Sequence, residues 1–192
     1  MTSSMQTPRI SRSPSLMPSV ASPKPVSDAI WETYIELGDN AYRKGYFDMA
    51  EKMFLAAIKE ASHRLPEPAC LGTILCHFGK FYFDQDRHKK AEVFLKRSID
   101  TFDRDKKSYD PCACDAIELL ARVSVAEGRY DQAEKLFKRQ FAIVKKIYGR
   151  HDPRLIEPIR SLVQLYRTYG KFERADALAL RLRKLQLDMK AS

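Results

Sequence analysis

The side chains here with the widest chemical range are four cysteines and four histidines: thiolate nucleophiles, acid–base groups and zinc ligands. Cys112-Ala-Cys114 is their tightest spacing. A structural zinc site usually leaves roughly two to four residues between paired ligands and needs a second pair at a matching distance, and neither condition is met. His63, His77, His88 and His151 fall in four unrelated places, so spacing assembles no Ser/His/Asp or Cys/His set. No glycine-rich loop is built to cradle phosphate. These residues predict no catalytic centre, no metal and no cofactor.

The glycines mark something else. Gly128-Arg129-Tyr130-Asp131-Gln132-Ala133-Glu134-Lys135-Leu136-Phe137 has near copies at Gly45–Phe54 and at Gly170–Ala175, with a weaker one at Asp86–Leu95. Its alanine recurs as Ala50, Ala91, Ala133 and Ala175, at spacings of 41, 42 and 42 residues. Four units at a near-constant period predict a stacked repeat, in which each unit buries its apolar face on the next. Cys70 and Cys112 are also one period apart. Equivalent positions of successive units lie on the order of 20 Å apart if each unit is a packed helix pair, too far for a disulfide. The cysteines are expected to be small, reduced packing residues.

Composition agrees with a globular repeat body: 44% hydrophobic and 31% charged, with no apolar run long enough to span a bilayer. The net charge is +9, unevenly spread. Residues 28–109 carry 14 basic and 14 acidic side chains, and residues 110–192 carry 17 and 11. The positive field therefore sits in the C-terminal half and favours an acidic partner surface. The interspersed acids argue against a dedicated nucleic-acid groove. Reduced thiols without a secretory leader predict a cytoplasmic protein.

Residues 1–27 are rich in Ser and Pro, with Arg9, Arg12 and Lys24 and no acid, and predict a disordered tail. Thr7-Pro8, Ser13-Pro14 and Ser22-Pro23 are candidate phosphorylation sites within it. From residue 28 onward the apolar residues recur at helical three- and four-residue steps. Ser27-Asp28 is placed to cap the first helix, Leu65-Pro66-Glu67-Pro68 breaks the chain, and Asp110-Pro111 and Asp152-Pro153 open later units. Eight helices are expected and no strand. They form a domain over 28–192 with units at about 28–65, 67–107, 110–149 and 152–190.

The first unit reads Tyr34-x-x-Leu37-Gly38, then Gly45-x-Phe47-x-x-Ala50-x-x-x-Phe54-x-x-Ala57, which resembles the tetratricopeptide repeat. The longer period and the segment Lys146–Pro153 resemble the kinesin-light-chain type of that repeat. The resemblance implies an all-α, right-handed superhelical solenoid of four helix-turn-helix hairpins. Gly38, Gly79 and Ala121 would let the two helices of a hairpin approach, with the four marker alanines opposite. It also implies a non-catalytic scaffold or adaptor that binds a peptide segment of a protein partner in its concave groove. The paired asparagines that hold a peptide backbone in kinesin-light-chain-type repeats have no counterpart: those positions are Ile35-Glu36, Cys76-His77, Glu118-Leu119 and Arg160-Ser161.

The resemblance implies that the first helix of each hairpin lines the concave wall. Mapped by phase, it puts there Ile35, Tyr42 and Arg43, then Cys76, His77, Lys80 and Phe83, then Glu118 and Arg122, and finally Arg160, Gln164 and Arg167. Lys80, Arg122, Arg160 and Arg167 would form a basic strip beside Tyr42 and Phe83, suited to a peptide with acidic residues. Two other readings compete. Lys138, Arg139, Lys145, Lys146, Arg150 and Arg154 cluster near one turn, as in a helical-repeat RNA binder, although no aromatic stacking platform stands beside them. Leu178, Leu180, Leu182, Leu185 and Leu187 on the last helix exceed one buried stripe, which suits self-capping or a homodimer.

Overall fold

The computed structural model of the protein describes residues 30–64, 68–104 and 110–191. The Ser/Pro-rich tail with its candidate phosphorylation sites, the Ser27-Asp28 cap and the break at residues 65–67 lie outside the described residues. The helices are α1 (Ile30–Arg43), α2 (Phe47–Arg64), α3 (Pro68–Phe83), α4 (His88–Arg104), α5 (Pro111–Ala126), α6 (Tyr130–Tyr148), α7 (Ile156–Thr168) and α8 (Phe172–Ala191). A 3-10 turn, Pro153–Leu155, leads into α7. Among the described residues there is no strand, and successive helices pair as four hairpins stacked into a right-handed solenoid.

The repeated turn has a local cause. In each unit the first helix ends on a residue with positive φ: Gly45 (79°), Asp86 (56°), Gly128 (72°) and Gly170 (73°). The following N–H donates to a carbonyl five residues back, Tyr46 to Ala41, Arg87 to Tyr82, Arg129 to Ser124 and Lys171 to Tyr166. The positive-φ residue itself donates three back. This is the Schellman ending, which satisfies helix-end carbonyls and favours glycine at its left-handed position. The starts are equally local. Asp110 Oδ1 accepts from Cys112 N at 2.8 Å, and Asp152 Oδ1 accepts from Arg154 N at 2.9 Å, each before a proline in the first turn.

Close approach within a hairpin follows from the small residues. Ala50, Ala91, Ala133 and Ala175 are fully buried. A Cβ on Gly38 would stand 3.0 Å from the Phe54 ring, and one on Gly79 2.7 Å from Leu95. The fourth unit has Val163 at the position of Gly38, Gly79 and Ala121. One apolar core runs through α1 to α5, and smaller clusters join α6, α7 and α8.

Between hairpins the carboxylate after the marker alanine makes the link. Glu51 Oε1 accepts from the Tyr82 hydroxyl at 2.6 Å, Glu92 receives Arg129, and Glu134 Oε1 accepts from the Tyr166 hydroxyl at 2.9 Å. The four cysteines are free thiols, as expected. The spacing estimate of 20 Å is too wide for neighbouring first helices, because α5 packs directly on α3 and brings Cys112 within hydrogen-bond reach of Thr73.

Candidate functional site

The first helices of the four hairpins, α1, α3, α5 and α7, form the wall expected to be concave. These helices do not pack evenly: α3 lies directly on α5, whereas α5 and α7 stand further apart. A cleft of about 520 Å³ opens there, floored by Phe137 and Leu165 and flanked by Val125 and Thr168. Phe83, Glu118, Arg122, Arg160 and Gln164, five of the ten predicted groove residues, line it together. Arg122 places its guanidinium 4.7 Å from the centre of the Phe83 ring, a cation–π contact. Among the described residues Arg122 has no ion pair. Arg160 Nη1 is 2.6 Å from Glu157 Oε1, one helical turn away and exposed. Glu118 Oε2 accepts from Gln140 Nε2 at 3.1 Å, so this carboxylate is fixed against α6.

Tyr42, Arg43, His77 and Lys80 gather instead around a second, smaller cavity of about 260 Å³, with Asp39, Phe81 and Asp84. His77 Nδ1 lies 3.2 Å from Asp39 Oδ2. Burial raises the Tyr42 hydroxyl's pKa, and the neighbouring Asp84 carboxylate raises it further. Burial likewise raises Asp115, against the opposing pull of Lys80 and His77. The predicted basic strip is therefore interrupted, because Asp39, Asp84 and Asp115 stand among its cations. Arg167, exposed in the last turn of α7, lines neither cavity.

Phase reading missed the floor. Phe137 comes from a second helix, and Leu165 is reached only because α7 stands off from α5. The sequence signal was the apolar spacing of these residues, which reads as core. Ile35 and Cys76, assigned by phase to the same wall, are buried in the core.

Burial pushes the Cys112 and Cys114 thiols up to about 11 and raises Cys76 as well, opposite to the shift that activates a nucleophilic thiol. Among the described residues no group of three or more His, Cys, Asp or Glu is placed to hold a metal ion. The basic cluster of the RNA reading is partly self-paired. Lys138 bonds Glu134 at 2.6 Å, Arg139 pairs with Asp103, and Arg154 lies over Tyr148 at 3.9 Å. Among the described residues no helix is long and apolar enough to cross a membrane.

Comparison with known proteins agrees with the fold. Residues 113–187 match the tetratricopeptide repeat family. No curated protein matches the sequence. Among solved structures, BtubC (BKLC) from P. vanneervenii superposes with a TM-score of 0.75 at 21% identity, covering 88% of this chain and 68% of its own. The Podosopora anserina putative kinesin light chain with nearly identical TPR-like repeats (Q17M) gives 0.72 at 18% identity, over 91% and 81%. The N-terminal domain of stress-induced protein-1 from C. elegans gives 0.55 at 16% identity, over 72% and 98%. At these identities the likeness is one of fold. Four Schellman-ended hairpins in phase and the family match over residues 113–187 together support a tetratricopeptide-repeat fold.

Proposed function

We propose that this protein is a non-catalytic scaffold that binds a segment of a protein partner in the concave cleft between α5 and α7. The observation that carries this reading is Arg122. Its guanidinium is held by the Phe83 ring, has no ion pair among the described residues, and borders a largely apolar cleft. A cation with no ion pair among the described residues, beside an apolar floor, suits a peptide with a carboxylate next to an apolar side chain. The cleft volume falls within the range of about 300–1,000 Å³ typical of pockets that enclose a ligand. Arg160, exposed on the same cleft, adds charge that steers an acidic segment and speeds its encounter.

In this reading residues 28–192 form one interaction domain behind the tail of residues 1–27. The reduced state of the four thiols fits a cytoplasmic setting. The test is a selection of displayed peptides on the wild-type chain, with affinities measured by fluorescence polarisation. The reading expects recovered peptides rich in Asp and Glu around an apolar residue. Arg122→Glu combined with Arg160→Glu should weaken them at least tenfold while leaving the helical circular dichroism unchanged. Unchanged affinity in that double variant overturns the assignment.

A further inference from the structure

Inside the stack the second helix of each unit offers a face that the first helix of the next unit covers. The contact between the third and fourth units spells out its register. The Tyr130 ring lies 5.0 Å from Tyr169. Glu134 takes the Tyr166 hydroxyl and lies 3.6 Å from Lys171. Lys138 and Phe141 share an apolar recess with Ile159 and Leu162.

Among the described residues both ends of the stack lack this cover. One period beyond α6, α8 places Phe172, Asp176, Leu180 and Arg183 at the positions of Tyr130, Glu134, Lys138 and Phe141. In the first unit Tyr34, Leu37, Lys44 and Tyr46 occupy the positions of Ile159, Leu162, Tyr169 and Lys171. Large apolar side chains are bare at both ends. Phe172 is 64% exposed, Leu180 70% and Leu187 59%, while Leu37 is 42% and Tyr46 62%. Leucine replaces the Lys138 of the inner unit at position 180, adding apolar area to a face that nothing in the described chain covers.

Setting the α1 end of one copy on the α8 end of another, in the register of the internal contact, gives compatible chemistry at each position. Leu180 meets Leu37, and Asp176 faces the Tyr46 hydroxyl. Arg183 comes over the Tyr34 ring, and Lys44 over Phe172. We propose that the chain binds a second copy of itself head to tail, with α8 of one copy seated on α1 of the next. The occupant is another copy because one chain carries both halves of the contact, in the register its own third and fourth units use. Such a contact is heterologous and, because it continues the superhelical stacking of the units, it generates open chains of copies.

The test is sedimentation equilibrium of the full chain up to millimolar concentration, with Leu180→Glu and Leu37→Glu as variants. Both side chains are exposed, so both variants are expected to keep the wild-type circular dichroism. Wild-type mass should climb past the dimer with concentration, and each variant alone should stay monomeric. An equimolar mixture of the two should form a dimer and nothing larger, since only one intact contact is possible. A wild type that is monomeric throughout overturns the proposal. So does loss of association in Leu180→Glu but not in Leu37→Glu without rescue on mixing, the pattern of a symmetric α8 dimer.

Discussion

Arg129 grips Glu92 with both guanidinium nitrogens, Nη1 to Oε1 and Nη2 to Oε2 at 2.9 Å each, across 37 residues of chain. The pair joins the second hairpin to the third at the point where the core passes from one unit to the next. Lys96 adds a contact at 2.7 Å from Glu92's own helix, and Glu127 closes on Arg129 from the other side. Equivalent carboxylates, Glu51 and Glu134, receive a tyrosine hydroxyl in the neighbouring units. One sequence position thus links hairpins through different donors.

Glu92→Gln should cost about 1 kcal/mol, the range for a charge-assisted bidentate pair that is partly open to solvent screening. The Arg129 hydrogen bonds hold the Glu92 carboxyl down at about 2, against an ordinary 4.5. The carboxyl pKa is depressed in the folded state, so its contribution is complete above about pH 4.5 and fades as pH falls towards 2. Urea midpoints should therefore differ between wild type and variant at pH 7 and converge in acid. A gap that stays constant with pH contradicts this.

The turn of the second unit is the one that departs from glycine. Asp86 holds φ at 56°, where Gly45, Gly128 and Gly170 hold the same position elsewhere. An L-residue in this region costs on the order of 1 kcal/mol, somewhat less for aspartate. Asp86→Gly should accordingly raise stability by about 0.5 kcal/mol, and Gly128→Ala should lower it by about 1 kcal/mol. Thermal midpoints moving in the same direction for both would refute the equivalence of the two turns.

Gly79 marks the closest approach within a hairpin. A Cβ there would meet Leu95 at 2.7 Å, and Leu95 is fully buried. Gly79→Ala should destabilise by about 1–3 kcal/mol through overpacking, despite alanine's better helix propensity. Adding Leu95→Val should recover part of the loss. Denaturant unfolding of both variants checks this, and additive losses would place the strain elsewhere.

The fold was legible because its signals are local. Gly128, Tyr130 and Ala133 specify a turn, a helix start and a close contact within six residues of one another, and the pattern recurs with one period. Asp86 makes the second copy weaker, because aspartate reaches the left-handed region less often than glycine, yet its turn is the same. What lay between hairpins was not legible. That Glu92 meets Arg129 depends on the rotation between adjacent units, which no local spacing encodes. Phase gave the rims of the cleft, Arg122 and Arg160, but not its floor at Phe137 and Leu165, since that opens only where α5 and α7 separate. It also placed Ile35 and Cys76 on the open wall, although close packing of the first helices buries both. On α8 the five leucines divide by face: Leu178, Leu182 and Leu185 pack inward, while Leu180 and Leu187 are exposed.

Amide hydrogen exchange of the wild-type chain, with and without the tightest selected peptide, tests the central claim most directly. Binding in the cleft predicts new protection in α5 around residues 118–125 and in α7 around residues 160–168, lost in the Arg122→Glu/Arg160→Glu variant. Protection confined to the outer face of α6 and α8, or unchanged in that variant, would contradict it.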